Sequence, residues 1–388
     1  MIRVISTERI PIKLWLEDIE NGALEQAKNL ANLPFAFKHI AIMPDSHQGY
    51  GMPIGGVMAT NKVIVPNAVG VDIGCGMCAV EINLTDIPKE KLVKLVDHIK
   101  EVVPVGFEWH KSPQDEAIMP GKPDNVHTPI VFAEYSKALH QLGTLGGGNH
   151  FIEIQKGSDG WIWVMVHSGS RNLGKKVADH YNGVAKELNS KWFSGVDQNW
   201  QLAFLPMDSA EGKQYRSEMQ YCVDFALANR SLMLERILWA ITEVVGGFHY
   251  KRVINIAHNY AAMENHFGQN VMVHRKGATK ATEGLLGIIP GSQGTKSYIV
   301  QGKGNQHSFM SCSHGAGRKM GRKEATRKLD LAEQQSILDS RGIVHGMKSE
   351  SDLDEAPGAY KDIDTVMANQ ADLVDVLVEL QPLAVIKG

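Results

Sequence analysis

Several things that would assign a chain of 388 residues to a function class at a glance are scarce here. Cysteine occurs only at 75, 78, 222 and 312, too few and too scattered for a disulfide framework at this length. No apolar run approaches the roughly 18 residues that a membrane-spanning helix needs. The opening MIRVISTERIPIKLW lacks the apolar stretch and small-residue cleavage site of a secretory signal, so a cytoplasmic protein with no membrane partner is expected. Neither sign of charge dominates: 40 Lys and Arg face 43 Asp and Glu, for a formal net charge of −3. A generally basic nucleic-acid-binding surface is thereby excluded, and any polyanion must be met by basic residues gathered locally. Disorder is excluded too, because 43% of residues are hydrophobic and the length supports a large core.

What is present is glycine, 38 residues of it, and histidine, 16. The glycines gather in polar knots at 49–56, 70–76, 143–148, 284–294, 302–304 and 315–321. Short β-rich runs lie between them, at 62–65, 161–166 and 253–257. Apolar spacing predicts helices over 89–102, over 175–193 after a break at Gly174, and over 209–245, with a basic helix over 316–331. No βαβ unit of constant length repeats. The expected fold is therefore α+β, a single large domain over 1–388 with central mixed or antiparallel sheets flanked by helices. The proline-bearing segment 110–127 reads as a surface loop, either a lid or an idle excursion.

Chemistry-bearing residues fall in the glycine knots. Asp72-Ile73-Gly74-Cys75 puts a carboxylate and a thiol in one tight turn. The overlapping Cys75-Gly76-Met77-Cys78 is a CxxC, but no second Cys or His pair follows to complete a structural zinc site. Gly146-Gly147-Gly148-Asn149-His150 brings backbone and polar groups close to a ligand. His167 and His258 each end a β-rich run, and Ser168-Gly169-Ser170-Arg171 behind the first suits a phosphate. One Asp, one Cys and three His, all at strand ends or glycine turns, point to a metal centre. Five ligands exceed one tetrahedral site, so two ions sharing the thiolate are the natural extension, an arrangement suited to phosphoryl transfer.

The run Pro290-Gly291-Ser292-Gln293-Gly294-Thr295-Lys296-Ser297 fails as a P-loop, since Thr295 separates Gly294 from the lysine. A Gly/Ser turn able to wrap a ligand survives. In Ser313-His314-Gly315-Ala316-Gly317-Arg318 the glycines lead toward the expected basic helix, whose N-terminus would favour an anion at His314. A neutral imidazole there can attack phosphorus, with Arg318 stabilising the charge. The bland alternative is a capping histidine. His47 reads as a neighbour of the metal centre, and His274, ahead of Arg275-Lys276-Gly277, as a phosphate contact. The basic stretch 318–328 serves either RNA or solvent.

These motifs together resemble the RtcB-type RNA ligases, the tRNA-splicing ligase family. The resemblance runs from Met43-Pro44-Asp45-Ser46-His47-Gln48-Gly49 to Lys387-Gly388, through D-I-G-C, G-G-G-N-H-F-I-E, V-H-S-G-S-R, H-N-Y, H-R-K-G-A-T, P-G-S-x-G-T, S-H-G-A-G-R and A-Y-K-D-I. It implies two Mn²⁺ per active site, one on Asp72, Cys75 and His150, the other on Cys75, His167 and His258. It implies that His314 becomes guanylylated by GTP. The nucleotide would lie against Asn149, His150, Phe151, Ile152, His258, Asn259, Pro290, Gly291, Ser292, Gln293, Gly315, Ala316 and Gly317. The guanine would meet Glu153, Ser297, Tyr360 and Lys387. A carboxylate accepting from guanine N1–H and its amine, with a lysine donating to O6, prefers GTP over ATP. Arg171 and Arg318 would hold RNA phosphate.

The implied substrates are RNAs with cleaved ends, tRNA halves or damaged RNA, and the implied partner is an archease-like activator. Nothing in the sequence fixes monomer or dimer. Ligand softness alone favours Zn²⁺ over Mn²⁺ for such a donor set, so manganese comes from the resemblance. Ser46, where many members of the family carry valine, points to a divergent RNA-repair branch. Two other readings stand beside the ligase. A dinuclear phosphodiesterase acting on RNA ends would need the ligands but not His314, and a non-catalytic RNA-binding protein would leave both idle.

Overall fold

The computed structural model describes residues 1–388. The β-rich runs assemble into two large sheets. In the first, the strands run in the order Tyr250–Ala257, Gly76–Ile82, Ile162–Ser168, Phe151–Gly157, Val374–Lys387, Ser297–Gly302, Leu286–Ile289, every pair antiparallel. In the second the order is Arg3–Ile5, Ile12–Leu14, Ala36–Tyr50, Met52–Thr60, Gln269–Lys276, Asn259–His266, with one parallel pair, Ile12–Leu14 against Ala36–Tyr50. The expected α+β class with mixed and antiparallel sheets is what is observed.

Strand alternation explains the layering. Cys78, Val80 and Ile82 of one strand, with Ile162, Val164 and Val166 of its neighbour, face a core closed by the helices Lys89–Val102 and Ala210–Val244. The intervening Met77, Ala79, Trp163 and Met165 face the other way, against Ile288, Ile299 and Val378. A further core, including Val57, Val273, Ile289 and Val300, joins the two sheets. Cys78 thus belongs to the hydrophobic core on the helix side, and the CxxC is no redox pair.

The helices over 89–102 and 209–245 appear at Lys89–Val102 and Ala210–Val244. Two other expectations are corrected. The helix expected from 175 begins at Arg171 and includes Gly174. That glycine is a packing residue, not a break: a Cβ on it would lie 2.0 Å from Ser170 Oγ and 3.3 Å from Ile73. The basic helix expected over 316–331 is only Arg322–Lys328, followed by a separate helix Leu331–Ser340 that Asp330 caps. Residues 314–321 are not helical, because Gly317 takes φ +72° and packs where a Cβ would meet Asp45 O at 2.1 Å. Segment 110–127 is irregular apart from a short helical turn, Glu116–Ile118, and a turn at 125–127. It is fastened by His110 N to His140 O, Gln114 N to Leu139 O and the buried Met119, and none of it lines the main cavity, which argues against a lid.

Candidate active site

Antiparallel pairing brings four ligand-type residues to one edge of the seven-stranded sheet. Gly76 pairs with both Ser168 and Ala257, and Phe151 pairs with His167. Cys75 and His150, each just before a strand, therefore meet His167 and His258 at strand ends. Asp72 joins them through a turn in which Cys75 N donates to Asp72 O. Asn259 clamps that turn: its Nδ2 donates to Asp72 O and its Oδ1 accepts from Gly277 N.

Two donor groups result, Asp72/Cys75/His150 and Cys75/His167/His258, the ligand atoms of each lying within 4.8 Å of one another. Cys75 Sγ is 3.4 Å from His150 Nε2 and 3.3 Å from His167 Nε2, and His150 Nε2 is 3.0 Å from Asp72 Oδ2. His167 donates Nδ1–H to Asn149 O, which directs the Nε2 lone pair at the sulfur. Nδ1 of His150 and Nδ1 of His258 are buried without a hydrogen-bond partner. Burial holds the His167 and His258 imidazoles well below their usual pKa, in the neutral form that ligates. Burial, with Asp72 alongside, pushes the Cys75 thiol well up, so its proton leaves only in exchange for another cation. A donor set this close, shared through one sulfur and short of hydrogen bonds, fits a pair of cations.

His314 stands beside this cluster, its ring 4.7 Å from that of His258. It follows the strand Ser311–Ser313, so no helix N-terminus acts on it as the sequence had suggested. Its setting comes from Asp45 instead. The buried carboxylate accepts from His314 Nδ1 at 2.6 Å and from His314 N at 3.1 Å. With Nδ1 carrying the proton, Nε2 keeps a free lone pair. Sequence reasoning singled out the Asp45–His47 motif but gave Asp45 no partner, since the two residues are 269 positions apart.

Asp72, Cys75, His167, His258 and His314 line a cavity of about 610 Å³, whereas Asp45 and His150, the latter expected against the nucleotide, do not. Asn149, Phe151, Glu153, Asn259, Pro290, Gly291, Ser292, Gln293, Gly315, Ala316, Gly317, Arg318, Tyr360 and Lys387 all line it with His258 and His314. Others among the expected residues do not. Ile152 points into the core on the helix side of the sheet. Ser297 lies behind the wall, accepting from Gly291 N and Gln155 Nε2. Arg171 also lies outside the lining, its Nε on Thr144 Oγ1 and its Nη2 on Gly106 O. His274 is buried, accepting from Val65 N, and Lys276 reaches the cavity in its place.

Two carboxylates at the Lys387 end matter. Burial raises Glu153 to about 8, against the pull of Lys387 and Gln155. Glu355, which carries no sequence signal, collects Arg318 Nη1 at 3.0 Å, Arg322 Nε at 3.1 Å, Lys387 Nζ at 3.8 Å and the Tyr360 hydroxyl.

Comparison with known proteins assigns the chain a family. The family described as tRNA-splicing ligase RtcB matches residues 26–128 and 119–388. The chain is 38% identical to the RNA-splicing ligase RtcB of Escherichia coli over 99% of both chains. The chain belongs to the RtcB family. Other members are similar along their length as well. The tRNA-splicing ligase RtcB of Thermococcus kodakarensis is 34% identical over 98% of this chain and 95% of its own. RNA-splicing ligase RtcB homolog 1 of Entamoeba dispar is 33% identical over 96% and 84%. No helix is long and apolar enough to cross a membrane.

Proposed function

We propose that residues 1–388 act as one RNA ligase domain, joining RNA 3′-phosphate or 2′,3′-cyclic phosphate ends to 5′-hydroxyl ends through a guanylate on His314. The observation that carries this reading is the pairing of His314 with Asp45 beside the two donor groups. Asp45 fixes the tautomer and orientation of the ring, as the carboxylate of a catalytic triad does for its histidine. His314 Nε2 attacks the α-phosphorus of GTP; the N–P bond forms as the bond to pyrophosphate breaks. An RNA 3′-phosphate oxygen, present already or produced when water opens a 2′,3′-cyclic phosphate and the 2′-oxygen leaves as a hydroxyl, then takes the guanylate, breaking the N–P bond. Finally the 5′-hydroxyl oxygen attacks the activated RNA phosphate and GMP leaves.

Asp72, Cys75, His150, His167 and His258 would hold two divalent ions, Mn²⁺ by family likeness, which neutralise charge on the reacting phosphates. Other residues bind and orient. Glu153 accepts from the guanine N1–H and amine, donors that favour its charged form, and Lys387 donates to O6. Arg318, braced by Glu355 and set 5.1 Å from the Tyr360 ring, offers charge to phosphate. Arg171, held by Thr144 and Gly106 through Nε and Nη2, keeps Nη1 for an RNA phosphate but lies outside the cavity lining. Lys276 is better placed: it lines the cavity and donates only to the carbonyls of Tyr50 and Asn67.

The test is incubation with α-labelled GTP and Mn²⁺. An acid-labile, alkali-stable label is expected on the parent protein and none on His314→Ala. Label persisting in the variant removes His314 as nucleophile. No label with any divalent metal, alongside opening of cyclic phosphates, favours the phosphodiesterase.

A further inference from the structure

The nucleotide assignment leaves one end of the cavity without a ligand. That end is walled by His47–Tyr50, Ile54, Asn67, Val71 and Lys276. Its outermost residue is Tyr50, the last of the strand Ala36–Tyr50, 71% exposed and in contact with no other aromatic ring. The tip that carries it is fixed. Gly51 turns the chain at φ +68°, and a Cβ there would lie 2.6 Å from Gln201 O, so the turn is seated against the neighbouring backbone. Asn67 Nδ2 also donates to Gln201 O, at 2.8 Å. A large ring held on a rigid turn at a cavity mouth, yet left in water, has the form of a platform for a flat ligand.

Its surroundings say which ligand. Lys276 Nζ donates to the carbonyl of Tyr50 itself at 2.6 Å and to Asn67 O at 3.0 Å, and no carboxylate pairs with it. A buried ammonium with only carbonyl partners calls for an anion. The next residue, Gly277, touches the nucleophile: a Cβ on it would be 3.0 Å from His314 Cε1. An RNA phosphate between Lys276 and His314 has Tyr50, whose carbonyl accepts from Lys276 Nζ, as an exposed aromatic residue of the same cavity wall. Single-stranded ends, whose bases are free to splay onto aromatic side chains, bind in this way without sequence preference.

We propose that Tyr50 stacks on the terminal base of the RNA end whose 3′-phosphate receives the guanylate. The assignment rests on the ligase reading for the identity of the ligand. It goes further in requiring an unpaired terminal nucleotide and in ranking ends by ring size: purine, then pyrimidine, then abasic. The ring matters and the hydroxyl does not.

The experiment uses short RNAs ending in a 3′-phosphate, with 2-aminopurine, a pyrimidine or an abasic site as the last nucleoside. Binding is followed by anisotropy, stacking by 2-aminopurine fluorescence, and ligation by KM and kcat. With the parent protein, quenching and tighter binding of the purine end over the abasic end are expected. Tyr50→Ala should lose the quenching and raise the RNA KM about tenfold, within the range for one base–aromatic stack, with kcat little changed. Tyr50→Phe and Tyr50→Trp should restore both. Equal binding of purine and abasic ends by the parent overturns the proposal, as does an unchanged KM in Tyr50→Ala or failure of Phe to restore it. Absence of guanylylation and ligation in the parent is a separate failure, that of the ligase reading; the fluorescence of bound 2-aminopurine still decides whether Tyr50 stacks.

Discussion

Arg275 and Lys276 are consecutive, buried and cationic, and they have opposite surroundings. Arg275 faces a closed network: Glu264 accepts from Nη1 and Nη2 at 2.7 and 3.0 Å, Phe309 O also accepts from Nη2, Ser311 Oγ accepts from Nε, and His266 and Lys280 complete the carboxylate. Lys276, pointing to the other face of the strand, has two carbonyls and an open cavity. The same contrast separates the two ends of the strand Asn259–His266. At the His266 end charge meets charge. At the Asn259 end lie ligand atoms crowded within 4.8 Å, with unpartnered ring nitrogens on His150 and His258. Satisfied polar clusters hold a fold together, and unsatisfied ones await something that the chain does not supply.

The sharpest way to break this contrast is Cys75→Ala. Both donor groups share that sulfur, so both should fail, with metal content and guanylylation lost and the melting temperature little changed. Retention of two equivalents of metal after dialysis would refute the sharing. Asp45→Asn comes next. An amide can donate to His314 Nδ1, which moves the ring proton to Nε2 and blocks the lone pair; guanylylation should slow by about 10³–10⁴. A loss below tenfold would mean that Asp45 only supports the backbone.

The same measurements at Glu264 should invert the pattern. Glu264→Gln leaves Arg275 buried without its counter-charge and should cost roughly 3–5 kcal/mol in stability, read by denaturant unfolding. Guanylylation per folded molecule should be retained. In the parent, His266 and Arg275 hold the Glu264 carboxyl well below the usual range, outweighing burial. Its folded pKa lies below its unfolded one, so its contribution is fully present above the unfolded value of about 4.3 and fades as pH falls toward the folded one. A flat stability curve below about pH 4.5 would remove the network from the stability argument.

The open cluster was legible in the sequence and the closed one was not, for a physical reason. Asp72, Cys75, His150, His167 and His258 sit at glycine turns and strand ends, and such positions leave local marks. Glu264 lies inside the strand Asn259–His266 and Arg275 one residue from the end of Gln269–Lys276, and a charged strand residue reads as solvent-facing until the sheet partners are known. The same blindness hid Asp45 behind His314 and Glu355 behind Arg318, since each pairing is a long-range contact. The helices Lys89–Val102 and Ala210–Val244 match their apolar spacing nearly to the residue, whereas Asn21–Asn32 and Pro129–Gln141 were not expected from the sequence. Glycine misled in both directions: Gly174 looked like a break and is a close-packing contact, while Gly317, read as helix, breaks it with a positive φ.

The smallest effect tests Lys276 by pH. Burial lowers its pKa to about 7. Between that value and the unfolded one near 10.4, the unfolded chain binds a proton that the folded chain does not, so stability rises with pH across this window. Below about pH 7 the full cost of the buried charge is present. Phosphate affinity must run the other way, because the anion binds the ammonium and raises its pKa. The Kd for a 3′-phosphate RNA should therefore weaken by up to about tenfold per pH unit above 7, while the melting temperature gains from the same deprotonation. Lys276→Met removes the charge at similar volume, so both slopes should flatten and stability near pH 6 should not fall. Anisotropy and thermal melts at about pH 6 to 9 measure the two slopes. If Lys276→Met keeps the parental dependence of Kd on pH, another group binds the phosphate and the contrast between neighbours loses its functional half.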